Sequence, residues 1–188
     1  LHGFNRIHAI LGASENCIAT YPGDMAVALS ALDAEVQIEG RQGERSVPVR
    51  EFHRLPGDRP DRDNVLETGD VITAVTLPAP MPGRHVYRKV RDRSSYAFAL
   101  VSVAGIVDME DGRISSASLA FGGLAHKPWH DPAVADVLIG EKPSSALFDR
   151  AADILLAGAQ GYGANDFKIA LVRRTLHAAL AELTGDGA

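Results

Sequence analysis

Cys17 is the only cysteine in the 188 residues of this chain. A single thiol closes no internal disulfide and supplies no cysteine-rich metal cluster, so neither an oxidised framework nor an iron–sulfur centre is encoded within these residues. Long hydrophobic runs are missing too: nothing approaches the roughly 18 apolar residues needed to cross a bilayer as a helix, and no membrane insertion is expected. A basic excess is absent, since 24 Asp and Glu outnumber 19 Lys and Arg for a formal charge of −5. That argues against a nucleic-acid-binding face. The opening "LHGFNRIHAILG" lacks a charged region followed by a long apolar core, so no signal peptide is expected. With Leu1 where an initiator Met would stand, the chain reads as a piece of something longer. What remains is an ordinary globular balance, 46% hydrophobic and 23% charged, long enough for one domain or two small ones.

Periodicity predicts an α+β chain. "NCIAT" reads as a strand ending at the turn "YPGD", after which Asp24 is placed to cap a helix with Met25, Ala28, Leu29 and Leu32 along one stripe. "AEVQIEG" and "RSVPV" form a hairpin around the loop "RQGE", and Pro48 marks an edge strand. A short helix in "VREFHRL", a solvated loop "PGDRPDRDN" and a strand in "GDVITAVTLP" follow. The proline-rich "PAPMPG" suggests a boundary between units at 1–80 and 84–188. Beyond it, "VYRKVR", "FALVSVAGIVDM" and "ISSASLAFGGL" predict a small antiparallel sheet, with "EDGR" as a tight turn. Helices follow at Pro132 to Leu138, after Ser144 or Ser145, and after a capping Asn165, the last with Phe167, Leu171, Leu176, Leu180 and Leu183 as its apolar face.

Most candidates for chemistry have a plainer explanation. His126 and His130 are separated by Pro128 and share no helical face, and no third ligand joins them, so no metal site is expected. Cys17 falls in an apolar strand pattern that suits a buried, inert thiol. Ser94 and Ser95 have neither an adjacent histidine nor nucleophile-elbow glycines, which leaves a serine hydrolase without a base. "AFGGLA" leads into a proline-bearing stretch and not a helix, so its glycines serve close packing. The segment from His85 to Val107 stands apart, because a knot of positive charge, Arg88, Lys89, Arg91 and Arg93, abuts an apolar run. On a strand Tyr87 and Lys89 project together. Lys89 could then donate to an electron-rich oxygen such as the carbonyl of a ring cofactor, or the segment could be a solvated edge with snorkelling arginines. "GASENCIATYPGDM", a loop of small residues running to a helix N-terminus, could likewise let backbone approach a ligand.

Four ordered blocks, "NRIHAILGASENCIATYPGDMAVALSALDAEV", "GDVITAVTLP", "YRKVRDRSSYAFALVSVA" and "LAFGGLAHKPW", resemble the FAD-binding medium subunit of bacterial molybdenum hydroxylases, the xanthine dehydrogenase and carbon monoxide dehydrogenase family. Within that family the likeness is greatest to the flavin subunit of the periplasmic aldehyde oxidoreductase type. The resemblance implies a second FAD-binding subdomain over 1–80, then a three-stranded antiparallel sheet with a helix bundle over 84–188. It implies that Ile18 lies against the flavin beside the loop of Gly12 and Ser14, that Asp24 bonds the ribityl or ribose region, that Ile72 packs on the adenine or flavin side, and that Lys89 reaches a pyrimidine carbonyl. No catalytic acid or base is asked of this chain, since the redox chemistry belongs to the cofactor.

The same resemblance implies partners: a large subunit with a molybdenum cofactor and a small subunit with [2Fe–2S] clusters, passing electrons through FAD to an external acceptor. It places the cytoplasm, or the periplasm by export with a signal-bearing partner, as the compartment. The family's glycine-rich pyrophosphate loop and the four cysteines of an additional [4Fe–4S] cluster are not in this sequence and are expected upstream of Leu1. "GASEN" replaces the usual glycine pair, and "YPGD" is one residue shorter than the common form. A chain without the pyrophosphate loop is expected to be inactive alone and to bind FAD weakly or not at all, and it has an alternative reading, a non-catalytic assembly module that binds partner subunits and no FAD.

Overall fold

The computed structural model describes residues 3–185. Two three-stranded antiparallel sheets organise it. The first combines β1 (Glu35–Gly40), β2 (Gly43–Pro48) and β3 (Val71–Thr76) in the order β2-β1-β3, with α1 (Asp24–Ala31) before it and the one-turn α2 (Val49–Phe52) after β2. The second is the meander β4 (Arg84–Val90), β5 (Val101–Glu110) and β6 (Arg113–Gly122), followed by α3 (Pro132–Asp136), α4 (Ser145–Leu155) and α5 (Phe167–Thr184). The α+β class expected from the sequence is what forms, and Pro48 does lie on an edge strand, where no ladder bond needs its missing N–H.

The core explains the second sheet. Residues Val101 to Val107 of β5 are buried without interruption, against the alternation of a half-exposed strand. Odd-numbered Val101, Val103 and Val107 join a cluster with Leu176, Leu180 and Leu183 of α5 and with Leu147, Phe148 and Leu155 of α4. Even-numbered Ala104 joins Ala120, Val27 and Ala31, so α1 covers the opposite face. A central strand with helices on both faces reads as a continuous apolar run. The β5–β6 turn is Asp111–Gly112 with φ of +51° and +71°, the left-handed pair a two-residue hairpin requires.

Several local expectations are revised. "NCIAT" joins no strand ladder; Ala9 donates to the Ile18 carbonyl at 2.8 Å and Tyr21 to the Ala125 carbonyl at 3.0 Å, tying this stretch to loops and not to a sheet. Gly23 occupies the N-cap position of α1, and Asp24 makes no capping bond because its carboxylate is engaged elsewhere. The buried face of α1 is rotated from the expected stripe: Met25 is 74% exposed and Ala28, Leu29 and Leu32 are half-buried, while Ala26, Val27, Ser30 and Ala31 are buried, since small side chains let the helix settle closely on the sheet. The β1–β2 loop contracts to Arg41 and Gln42. β5 begins at Val101, leaving Phe98 72% exposed. Ser144 caps α4 through Leu147, but Asn165 caps nothing: fully buried, it accepts from Tyr162 N at 2.6 Å and donates to the His8 and Ala9 carbonyls.

Candidate functional site

Strand β4 sets the site. In its antiparallel register Lys89 stands opposite Ser102 and Tyr87 opposite Ala104, on the face that α1 covers. The first turn of α1 brings Asp24 to the same place. Lys89 Nζ donates to Asp24 Oδ2 at 2.6 Å, and the Tyr87 hydroxyl lies 2.9 Å from Asp24 Oδ1 and 3.2 Å from Ser102 Oγ. Burial is the main force holding the Tyr87 phenol above its ordinary range; its bond to Asp24 adds to that, and the one to Ser102 opposes it. The joint projection of Tyr87 and Lys89 expected from strand geometry is therefore realised, with a carboxylate as the shared partner.

Asp24 and Lys89 form part of the wall of a cavity of about 820 Å³, completed by Ile7, Thr20 and Pro22 on one side and by the loop from Asp92 to Leu100 on the other. That volume lies within the usual range for small-molecule sites, roughly 300–1,000 Å³. The loop places Tyr96 and Phe98 at the cavity, 93% and 72% exposed, and Tyr96 holds a left-handed φ of +52°. A bulky residue in that conformation carries backbone strain. Asp92 is paired with Arg6 at 2.7 Å, and the Arg6 guanidinium sits 4.4 Å over the Phe167 ring. Among the described residues Arg93 has no carboxylate within ion-pair distance, leaving a positive charge at the cavity.

A buried lysine holds the far wall. Lys168 of α5 is fully buried and donates to the carbonyls of His8 at 2.8 Å, Ile7 at 3.3 Å and Gly123. Burial pulls its pKa down to about 8. The glycine pair of "AFGGLA" serves close packing, as expected: Gly123 has φ +73°, and a Cβ there would stand 2.5 Å from the Leu100 carbonyl.

Of the six residues singled out from sequence, the structure brings Asp24 and Lys89 together. Gly12 and Ser14 lie in a separate tight loop. Gly12 has φ +61° and packs under Leu55 and Trp129, while Ser14 and Cys17 exchange backbone bonds. Ile18 is 7% exposed, and Ile72 is 44% exposed on β3, near Ile38 of β1. None of these four lines the cavity around Lys89. Cys17 is half-buried outside any strand, 3.9 Å from His126 Nδ1, whose Nε2 meets Asp63 at 2.8 Å. His130 instead meets the Leu119 carbonyl, so the two histidines do not converge. Arg93 was noticed only as part of the positive knot, and Tyr96, Phe98 and Asp92 were not named as contacts, although two aromatics in the largely polar "RDRSSYAF" were a usable signal for a loop that meets a ligand.

A helix-backed meander with a lysine on its first strand, preceded by a mixed α/β segment that delivers an aspartate to it, defines a class. Residues 85–183 match the CO dehydrogenase flavoprotein C-terminal domain, and residues 11–80 match the FAD binding domain in molybdopterin dehydrogenase. The chain belongs to the family of FAD-binding medium subunits of molybdenum hydroxylases. It is 48% identical over 183 residues to the aldehyde oxidoreductase FAD-binding subunit PaoB of Escherichia coli K12, covering 97% of this chain and 54% of that one. To the glyceraldehyde dehydrogenase medium chain of Sulfolobus acidocaldarius it is 31% identical over 124 residues, 66% of this chain and 42% of the other. The fold matches a crystal structure of Cu,Mo-CO dehydrogenase at TM-score 0.76 and 21% identity, over 86% of this chain and 56% of that one. It matches quinoline 2-oxidoreductase from Pseudomonas putida 86 at 0.72 and 21%, over 97% and 59%. The chain thus spans about half the length of the curated relatives it matches.

Proposed function

We propose that this chain is the part of an FAD subunit that presents Lys89 to the flavin, within an oxidoreductase of aldehyde or xanthine dehydrogenase type. The observation that carries the reading is the Lys89–Asp24 pair on the wall of a cavity whose other lining is mostly aromatic and aliphatic, with Thr20, Asp92 and Arg93 as its remaining polar groups. An ammonium beside apolar walls suits an electron-rich planar ring, and a carboxylate beside it suits ligand hydroxyls. Lys89 would donate to a ring carbonyl, Asp24 would accept from the ribityl or ribose hydroxyls, and Tyr96 and Phe98 offer exposed ring faces. Gly12, Ser14, Ile18 and Ile72 are proposed as contacts to other parts of the cofactor, by likeness to the family. FAD, when bound, supplies the redox chemistry, passing on electrons that arrive from outside the subunit; this chain's residues bind and orient it.

The relatives' names support a multi-subunit setting, "medium chain" implying larger and smaller companions. We place the molybdenum cofactor on a large partner and [2Fe–2S] clusters on a small one, with any [4Fe–4S] cluster upstream of this chain and either the cytoplasm or the periplasm as compartment. No helix among the described residues is long and apolar enough to cross a membrane. Strand β3 favours a second reading: all six of its residues are exposed, with Val71, Ile72 and Val75 among them. Such a surface suits an assembly module that holds partners without FAD.

The test is an FAD titration of the purified chain, followed by flavin fluorescence and the visible spectrum, with Lys89→Ala beside it. Saturable binding, weak for want of the pyrophosphate loop and weaker still in Lys89→Ala, would support the reading. A folded chain, shown by a cooperative melt, that leaves flavin fluorescence unchanged would favour the assembly module.

A further inference from the structure

Asp24 has a second donor that the flavin reading does not use. A carboxylate only accepts, so the Tyr87 proton must point at Asp24 Oδ1, 2.9 Å away. A phenol has one proton, and the 3.2 Å contact between Tyr87 and Ser102 is therefore made by the serine hydroxyl donating to the phenol oxygen. The direction of the chain follows without ambiguity: Ser102 donates to Tyr87, Tyr87 to one oxygen of Asp24, and Lys89 to the other.

The surrounding backbone protects this arrangement. Ser102 is fully buried on the central strand β5 and pairs across to Gly122 of β6. A methyl at Gly122 would collide with Ser102 Oγ and stand 2.8 Å from Val27 Cγ2. The glycine thus keeps open the space that the serine hydroxyl fills, between the sheet and α1. Asp24 itself makes no capping bond on α1, so its orientation rests on Tyr87 and Lys89.

We propose that Tyr87 is a positioning residue, fixing Asp24 through the hydroxyl chain from Ser102 so that Lys89 is held at the cavity wall. One of the three ammonium protons goes to Asp24, and the remaining two are left for an electron-rich oxygen of the ligand. Without Tyr87 the carboxylate keeps a single partner, and pair and lysine move together. A strong donor for the ligand is then traded for a mobile one, which costs preorganisation. The inference rests on the proposed role of Lys89 toward the flavin.

The test separates the two ideas. The chain has four lysines, at 89, 127, 142 and 168, so Lys89 is readily assigned in a spectrum of the protein carrying ¹³C at lysine Cε. In the parent its two ε-protons should be inequivalent, the mark of an immobilised side chain. Tyr87→Phe should collapse them to one averaged signal and weaken FAD binding about three- to tenfold; Ser102→Ala should do both to a smaller degree, in protein whose melting shows it folded. Unchanged Lys89 signals in folded Tyr87→Phe and Ser102→Ala would overturn the positioning role, whatever FAD does. Collapse of the signals in a protein whose parent binds no FAD would support the positioning role and sink the flavin reading.

Discussion

Two strands of near-equal apolar content meet opposite fates. Val71–Thr76, "VITAVT", is exposed at every position, whereas Val101–Val107, "VSVAGIV", is buried at every position. Local sequence asks for a strand in both cases, and both form one. What differs is topology: β5 is the middle of its meander with α1 on one face and α5 on the other, while β3 is an edge strand paired only to β1. Stability in this chain is therefore concentrated around the second sheet. The first sheet owns a small cluster, Ala34, Val36, Ile38, Val49 and Phe52, and leaves an apolar edge available to something else.

The largest effect expected from that contrast is at Lys168, which joins α5 to the carbonyls of Ile7, His8 and Gly123 inside the larger core. Lys168→Met would fill similar volume but leave the buried Gly123 carbonyl without its donor and remove the ammonium's bonds to the Ile7 and His8 carbonyls, which keep Thr20 and Asn165 as donors. We expect a loss of about 3–5 kcal/mol in chemical denaturation, given roughly 1–3 kcal/mol for an unsatisfied buried group, about 1.5–3 kcal/mol for a hydrogen bond to a charged group, and partial relaxation. A loss below about 1 kcal/mol would mean that water replaces the ammonium. Next comes Ile38→Ala, which removes the most buried large side chain of the first sheet's cluster and should cost about 2–4 kcal/mol. If the two sheets unfold as one unit, the whole melt shifts. An early transition confined to part of the amplitude would show the first sheet unfolding alone.

How far the sequence disclosed this is visible residue by residue. The hairpins, the edge proline, the helix after Ser144 and the pairing of Tyr87 with Lys89 on one face all follow from period and turn chemistry, which are local. The rotated buried face of α1 was not legible, because Met25 outranks Ala26 and Ala31 in hydrophobicity yet is the residue left exposed. Only the close approach of a sheet makes the small residues the buried ones. Asp24 was found for its position at a helix start, but the partner it takes is 65 residues away on β4. The same holds for Asn165, read as a cap and found to bind His8 and Ala9 across the fold. Long-range polar contacts leave no periodic trace.

Acid should distinguish the two regions more gently. His53, just after α2, has its pKa lowered to about 4, first by burial, then by the charge of Lys127, with Asp63 opposing. A histidine depressed below its unfolded value near 6.5 is neutral in the fold, so the unfolded chain binds the extra proton between those limits. Stability is thus fully present above pH 6.5 and falls as pH drops toward 4, by about 1–2 kcal/mol after allowing for a partly solvated ring. His53→Gln should flatten that slope in pH-dependent melting. An unchanged slope would move the acid sensitivity elsewhere in the chain.

The smallest expected effect is also the sharpest test of the exposed edge. Ile72→Thr keeps a β-branched side chain on β3 and removes apolar surface that the fold does not bury, since Ile72 is 44% exposed. Stability should change by no more than about 0.5 kcal/mol. If Ile72 serves the cofactor, the same substitution should weaken FAD binding by about two- to fivefold, the effect of losing a methylene or so from an apolar contact. A stability loss well above 1 kcal/mol would make β3 a hidden part of the core. Affinity and stability both unmoved would assign the edge to a partner and take Ile72 out of the cofactor site. The strand whose composition most resembles β5 would then owe its apolar residues to assembly alone.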